Sequence, residues 1–203
     1  MMMGYQLKRP YFAHAVNLYG TPLETAAVRL IADYFNIRPE DVENPNQPHH
    51  QVGYKAYAER AKLADTSHKG MNYFYDEVLP LCDGCVAMPF LDGRMGLGVA
   101  GEAKWSFVER HRPVYMIRPP VTHFASADEL EAFIRDFRTG IFTVSPMSFE
   151  EMKLLVREDP RLVVPHIETR LRTWLIYNKT MRPYAEAHLA RLPLPPDFYP
   201  AEK

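Results

Sequence analysis

The feature that most constrains the fold is an unbroken apolar run over residues 84–91, followed directly by a glycine-rich segment. The run contains no charged residue and no alternation of polar and apolar positions. This pattern is typical of a strand that is covered on both faces, as in the middle of a parallel sheet with helices above and below it. The run therefore predicts the central strand of an α/β sheet.

Strands and helices alternate over the first 145 residues. Strands are predicted at residues 10–16, 41–44, 84–91, 113–117 and 141–144, and helices at residues 21–35, 54–63, 71–79, 98–111 and 126–137. Alternation of this kind joins parallel strands through right-handed crossovers. We therefore predict an α/β fold with an open, doubly wound, five-stranded parallel sheet in the flavodoxin-like order 2-1-3-4-5.

The pattern changes after residue 145. Ser148 and Glu151 have the spacing of a capping box, and two further helices are predicted at residues 168–179 and 182–192. We predict an α/β domain over residues 1–145 and a helical C-terminal extension over residues 146–203. Apolar residues in the extension predict contact with a neighbouring subunit or with the sheet edge, and hence a homo-oligomer.

Charge and hydropathy restrict the classes of partner. The chain has 24 basic and 25 acidic residues, so no broad positive field attracts a nucleic-acid polymer or an anionic membrane. No run approaches the roughly 18 apolar residues of a membrane span, and the first ten residues lack the apolar core of a signal peptide. We expect a cytoplasmic protein whose partner is a small molecule.

Ligands of open α/β sheets bind beyond the carboxyl ends of the strands, where the strand order reverses. In the predicted order this point lies between strands one and three, and it indicates two loops. The loop after strand one contains His14, Asn17 and Tyr19. In the segment after strand three, Gly96 and Gly98 allow a ligand to approach the backbone, and a helix start near Gly98 offers free amide groups. A Gly-x-Gly sequence is also common in ordinary turns.

Two carboxyl groups are predicted at this edge. Glu102 falls in about the first turn of the helix, where the macrodipole favours the ionised form by about 0.3–1 kcal/mol. Asp76 lies in the amino-terminal half of the helix before strand three, which runs antiparallel to that strand and so reaches the same edge. Carboxyl groups that share a cleft at roughly 5–9 Å can act as acid and nucleophile on a glycosidic bond. The alternative is that Glu102 only stabilises a helix start and Asp76 only faces solvent.

Several short motifs together resemble one enzyme family. They are Tyr11-Phe12-Ala13-His14 in the first strand, Asp76 on a helix before Cys82-Asp83, Gly98-Val99-Ala100-Gly101-Glu102, and Arg112-Pro113-Val114. Over about residues 9–118 the chain is similar to the nucleoside 2-deoxyribosyltransferases. The resemblance implies that Glu102 attacks the anomeric carbon, that Asp76 assists the leaving base and that Tyr11 lines the site near the nucleophile.

The function expected from this resemblance is cleavage or transfer at the N-glycosidic bond of a nucleoside or nucleotide, with no metal or organic cofactor. Water as acceptor would make the protein a hydrolase, and a second base would make it a transferase. A nucleotide phosphoribohydrolase is an alternative enzyme. If the motif is aligned as Gly-x-Gly-x-Glu, Ala100 takes the nucleophile position, which favours a non-catalytic nucleotide-binding or sensing module.

Other reactive side chains are interpreted as structural. Cys82 and Cys85 have redox or zinc spacing, but Cys85 falls in a predicted buried strand. His49, His50 and His68 lie in predicted polar loops and are interpreted as surface histidines rather than metal ligands.

Overall fold

The fold is an α/β arrangement, and the computed structural model describes residues 5–20, 22–63, 72–89, 93–118 and 142–164. The strands are β1 (Pro10–Ala13), β2 (Gly84–Ala87), β3 (Met95–Gly96), β4 (Val114–Arg118), β5 (Thr143–Pro146) and β6 (Val163–Val164). The α-helices are α1 (Pro22–Phe35), α2 (Pro48–Leu63), α3 (Leu97–Val108) and α4 (Phe149–Val156). Short 3-10 turns lie at Val16–Leu18, Pro39–Asp41 and Leu79–Leu81, and Phe74–Val78 is a π-helical turn.

Among the described residues the central sheet has four strands, in the order β1-β2-β4-β5. β1 pairs with β2 and β2 with β4 in parallel, whereas β5 is antiparallel to β4. The predicted α/β class with a mostly parallel sheet is confirmed, but the prediction of five parallel strands is wrong. In β5 only Val144 is buried, whereas Thr143 and Pro146 are exposed. This is the pattern of an edge strand, and it does not indicate strand direction.

The strand predicted at residues 41–44 is reduced to a single bridge. Glu43 lies in parallel register beside Tyr11, and it makes two backbone hydrogen bonds of 2.9 Å to β1. A 3-10 turn ends at Asp41, and a new turn begins at Asn44. The residues between these turns are too few to extend the ladder.

The sheet buries both of its faces, because successive residues of a strand project to opposite sides. Tyr11 and Cys85 belong to one core cluster, which also includes residues of the π-helical turn, α3 and α4. Phe12 and Val86 belong to a second cluster, which includes residues of α1. The side chain of Tyr11 therefore projects toward the layer that contains α3.

The described helices agree with the predicted ones in position and differ in detail. α1 and α3 begin and end within a few residues of the predicted bounds. α2 begins earlier than predicted, at Pro48, and proline is favourable at a first helical position. The helix predicted at residues 71–79 consists largely of a π-helical and a 3-10 turn. No helix in the described ranges is long and apolar enough to cross a membrane.

Residues after β5 contribute to the same core as the sheet, at least as far as Val163. Ser148 and Glu151 form the predicted capping box at the start of α4. Leu155 of α4 and Val163 of β6 lie in the cluster that contains Tyr11, and β6 pairs in parallel with β3. The boundary between residues 145 and 146 stays a prediction. The helices predicted at residues 126–137, 168–179 and 182–192 lie outside the described residues.

Candidate active site

Glu102 is a buried carboxyl group on the sheet-facing side of α3. The helix begins at Leu97, so Glu102 is its sixth residue and lies in the second turn. The prediction of a first-turn residue ionised by the macrodipole is therefore wrong. The residue is only 6% exposed. α3 begins directly after β3, which ends at Gly96 and pairs with β6 outside the central sheet.

The Tyr11 hydroxyl group holds the Glu102 side chain by donating a hydrogen bond of 2.9 Å to Oε1. Tyr11 is wholly buried in β1 and projects toward α3. Burial raises the pKa of Glu102 to about 8, and the bond from Tyr11 opposes this rise. A carboxyl group with a pKa near neutrality can lose or keep its proton at working pH, as nucleophilic and acid-base chemistry requires.

Two more tyrosines lie close enough to Glu102 for its charge to affect them. Burial raises the pKa of Tyr19 and of Tyr75, and the negative charge of Glu102 adds to the rise in both. The Tyr75 hydroxyl lies over the backbone of Gly101, where an added Cβ would come within 2.8 Å of it. Phenol groups can donate to and accept from the hydroxyl groups of a sugar.

Asp76 lies in the π-helical turn and has an exposed side chain. Its carboxylate accepts a hydrogen bond from the Tyr57 hydroxyl of α2, and this bond raises the pKa of Tyr57. Within the described part of the chain no hydrogen bond joins Asp76 to Glu102. The convergence of the two carboxyl groups on one cleft stays a prediction.

His14 lies beside this site in a buried network around Glu24. Its Nε2 lies 3.2 Å from Oε1 of Glu24. The Glu24 carboxylate also accepts hydrogen bonds from the Gly20 backbone amide at 2.6 Å, from Asn44 at 2.9 Å and from Asn46 at 3.0 Å. Burial raises the pKa of Glu24, but these bonds outweigh it and lower the pKa below its usual value. The ionised carboxylate therefore ties together the loop after β1, the start of α1 and the segment after Glu43.

His14 was predicted from the sequence as a site residue, whereas Glu24 was not. The available signal was an acidic residue in the first turn of the helix that directly follows the loop after strand one. The His14 ring lies 5.1 Å from the ring of Tyr19, so the network borders the Glu102 site. Asn17 lies in the 3-10 turn Val16–Leu18 of the same loop.

Gly96 and Gly98 occupy two different elements. Gly96 pairs with Val164 of β6, so the segment predicted as a loop is partly a strand. Gly98 lies exposed in the first turn of α3, and beyond the helix's own backbone no heavy atom of the described residues comes within 4 Å of the place where its Cβ would lie.

The interpretation of His50 as a surface residue is wrong. His50 lies in the first turn of α2 rather than in a loop, and it is 3% exposed. His49 beside it is exposed, as predicted, and His68 lies outside the described residues.

The two cysteines are buried and unpaired. Burial raises the pKa of the Cys82 thiol to about 12 and also raises the pKa of Cys85. A thiol that keeps its proton is a poor nucleophile and a poor metal ligand. The structural interpretation of this pair therefore fits their surroundings.

Comparison of the chain with models of protein families, with curated proteins and with solved structures found no match. The resemblance to nucleoside 2-deoxyribosyltransferases therefore depends on the short motifs alone. What the site can do chemically follows from its own groups, which are a buried carboxyl group and three phenols.

Proposed function

We propose that the protein cleaves, or transfers a sugar at, the N-glycosidic bond of a nucleoside or nucleotide, with Glu102 as the nucleophile. The observation that carries the proposal is the buried Glu102 carboxyl group with the Tyr11 hydroxyl on Oε1. A carboxylate shielded from water is poorly hydrated, so it can attack an electron-poor carbon directly. The neighbouring phenols of Tyr19 and Tyr75 supply polar contacts for the sugar.

In the proposed reaction an oxygen of Glu102 bonds to the anomeric carbon while the bond from that carbon to the base nitrogen breaks. The electron pair of the broken bond leaves with the base, which takes up a proton. Water or a second base then attacks the same carbon and releases Glu102. Tyr11 keeps the carboxyl group oriented throughout. We also propose that Asp76 donates this proton to the leaving base.

The sheet supports the location of the site. We propose that the strand order is a shortened form of the flavodoxin-like order, with the Glu43 bridge in the place of the outer strand beside β1. The reversal of strand order then lies between β1 and β2, and small molecules bind at such points in α/β proteins. The loop after β1, which carries His14 and Tyr19, borders this point.

A non-catalytic nucleotide-binding module is the second candidate, and the raised pKa of Glu102 favours it. A protonated carboxyl group can donate a hydrogen bond to a nucleotide without forming a bond to carbon. In this case the protein would bind nucleosides or nucleotides and release no base.

The test is incubation of the full chain with ribonucleosides, deoxyribonucleosides and their monophosphates, followed by chromatography for free base. Adding a second base distinguishes transfer from hydrolysis, and comparing nucleosides with monophosphates tests the phosphoribohydrolase alternative. We expect Glu102→Gln to lower the rate by several orders of magnitude while binding persists, because the amide keeps the shape and removes the nucleophile.

Glu109→Gln is the matched control. Glu109 is an exposed residue at the end of the same helix, so its substitution should leave the rate unchanged. Because the attacking group must be deprotonated, the rate of the normal chain should rise with pH up to about 8, the pKa of Glu102. Equal rates for Glu102→Gln and the normal chain would reject the nucleophile, and binding without any free base would select the binding module.

A further inference from the structure

We propose that Glu43, His49 and His50 form a binding site for a divalent transition-metal ion of the zinc type. The candidate ligand atoms, one from each residue, all lie within 4.8 Å of one another. Two imidazoles and one carboxylate are a donor set that zinc takes in proteins, with a fourth position left for water. This site is separate from Glu102 and does not depend on the proposed reaction.

The contacts of His50 direct its Nε2 toward Glu43. Its Nδ1 lies 3.1 Å from the Tyr73 hydroxyl, and its Nε2 lies 2.5 Å from Oε1 of Glu43. When the Tyr73 hydroxyl donates to Nδ1, Nε2–H donates to the carboxylate. Zinc at Nε2 would replace this proton, as metal ions replace ligand protons in protein sites.

A small movement opens the space for zinc. At metal bonds of about 2.0–2.2 Å, two ligand atoms of a tetrahedral site lie roughly 3.5 Å apart. The Nε2 of His49 already lies 3.5 Å from Oε1 of Glu43, whereas the His50 contact must lengthen by about 1 Å. His49 is exposed, with 64% of its side chain accessible, and its ring lies 4.0 Å from the ring of His50. The ion would therefore enter from the His49 side.

Neighbouring groups hold two of the three ligands in place. The Tyr73 hydroxyl packs against Gly53 of α2, where an added Cβ would lie within 2.3 Å of it, so the partner of Nδ1 is fixed. Arg9 occupies Oε2 of Glu43 and leaves Oε1 for the metal. Such outer contacts orient the ligands of a metal site. The positive charge of Arg9 and the amino end of α2 limit the affinity, so we expect moderate rather than very tight binding.

The test is titration of the full chain with zinc in competition with a chromophoric chelator, using two single variants. His49→Ala removes the exposed ligand and keeps the buried pair of Glu43 and His50, so the fold should survive. His111→Asn removes an exposed histidine elsewhere, and asparagine tolerates the positive φ of 53° at that position. We expect His49→Ala to weaken the tightest zinc site at least tenfold and His111→Asn to leave it unchanged.

Thermal unfolding supplies a second readout. Zinc that binds only the folded chain raises the melting temperature. This rise should occur in the normal chain and in His111→Asn, and it should be lost in His49→Ala, whose melting temperature without zinc should equal that of the normal chain. Equal zinc affinity in the normal chain and His49→Ala would overturn the proposal, as would the absence of any zinc-dependent rise in the normal chain.

Discussion

The burial of Glu102 changes the pKa of its carboxyl group. Removal from water raises the energy of the ionised form, and the Tyr11 hydroxyl recovers only part of it, so the pKa rises from 4.5 to about 8. The folded chain therefore keeps a proton on Glu102 at pH values where the unfolded chain has released it. Folding and proton binding are linked at this residue.

This linkage predicts the pH dependence of stability. Between pH 4.5 and about 8 the folded state binds the extra proton, so Glu102 lowers the free energy of unfolding as the pH rises through that window. Glu102→Gln carries no such proton and should be the more stable chain at pH 9, by an amount on the order of a few kcal/mol. At pH 4 the two chains should be similar. Urea unfolding at both pH values measures this, and parallel pH curves for both chains would contradict it.

At the scale of the element, two glycines of α3 provide a matched pair. An added Cβ at Gly98 meets no heavy atom within 4 Å among the described residues outside the helix's own backbone, whereas at Gly101 it comes within 2.8 Å of the Tyr75 hydroxyl. Gly98→Ala should stabilise the protein by about 0.5–1 kcal/mol, because alanine loses less conformational freedom in a helix. Gly101→Ala should gain less than this, because the Tyr75 side chain must move.

The double variant Gly101→Ala, Tyr75→Phe checks the cause of that difference. Removal of the hydroxyl should restore much of the gain that alanine gives at an open helical position. Denaturant unfolding of the normal chain, Gly101→Ala, Tyr75→Phe and the double variant measures the coupling between residues 75 and 101. If Gly101→Ala stabilises the protein as much as Gly98→Ala, the Tyr75 hydroxyl does not restrict α3.

The contact between β4 and α4 predicts that part of the protein's stability is lost in acid. Arg118 makes two hydrogen bonds to Glu151, and Ser148 adds others, so the pKa of Glu151 falls from 4.5 to about 2 although burial opposes this. The resulting stability is present above pH 4.5 and is lost as the pH falls through about 2. Glu151→Gln should therefore lower stability at pH 7 and reduce the loss on acidification. Glu150→Gln, at an exposed position of the same helix, is the control and should change neither.

The elements that sequence predicted well are those whose pattern depends on local burial. The apolar run at residues 84–91 indicated β2, and the capping box at Ser148 indicated the start of α4. The direction of β5 was not predictable in this way, because an apolar residue such as Val144 fits either orientation. The strand predicted at residues 41–44 is only a bridge at Glu43, because turns on both sides of that residue end it. The composition of these residues does not reveal the turns.

At the scale of the whole molecule, the site residues that could be predicted from the sequence are those that lie in short motifs. Tyr11 and Glu102 were identified from motifs, and the structure joins them across 91 positions of the chain. Glu24 and the buried position of His50 were missed. Their roles depend on partners such as Asn44 and Tyr73, which belong to other elements and become neighbours only in the folded chain. The first-turn position of Glu24 was visible in the sequence, but its contacts were not.

Two shortened chains test the predicted boundary at residue 145. Five side chains that follow β5 are buried in the cluster that contains Tyr11, namely Met147, Met152, Leu155, Leu162 and Val163. Each fully buried apolar side chain contributes about 1.5–3 kcal/mol, and the net stability of a typical domain is only about 5–15 kcal/mol.

A chain that ends at residue 145 should therefore not fold cooperatively, because it lacks this part of the core and also lacks β6, the partner of β3. A chain that ends at Val164 keeps every described member of this cluster and should show one cooperative unfolding transition. Circular dichroism during urea titration distinguishes the two results, and light scattering detects aggregation of the shorter chain. A cooperative transition in the chain of residues 1–145 would instead establish the α/β domain as an independent unit. In that case the sheet would fold without α4 and the residues around it.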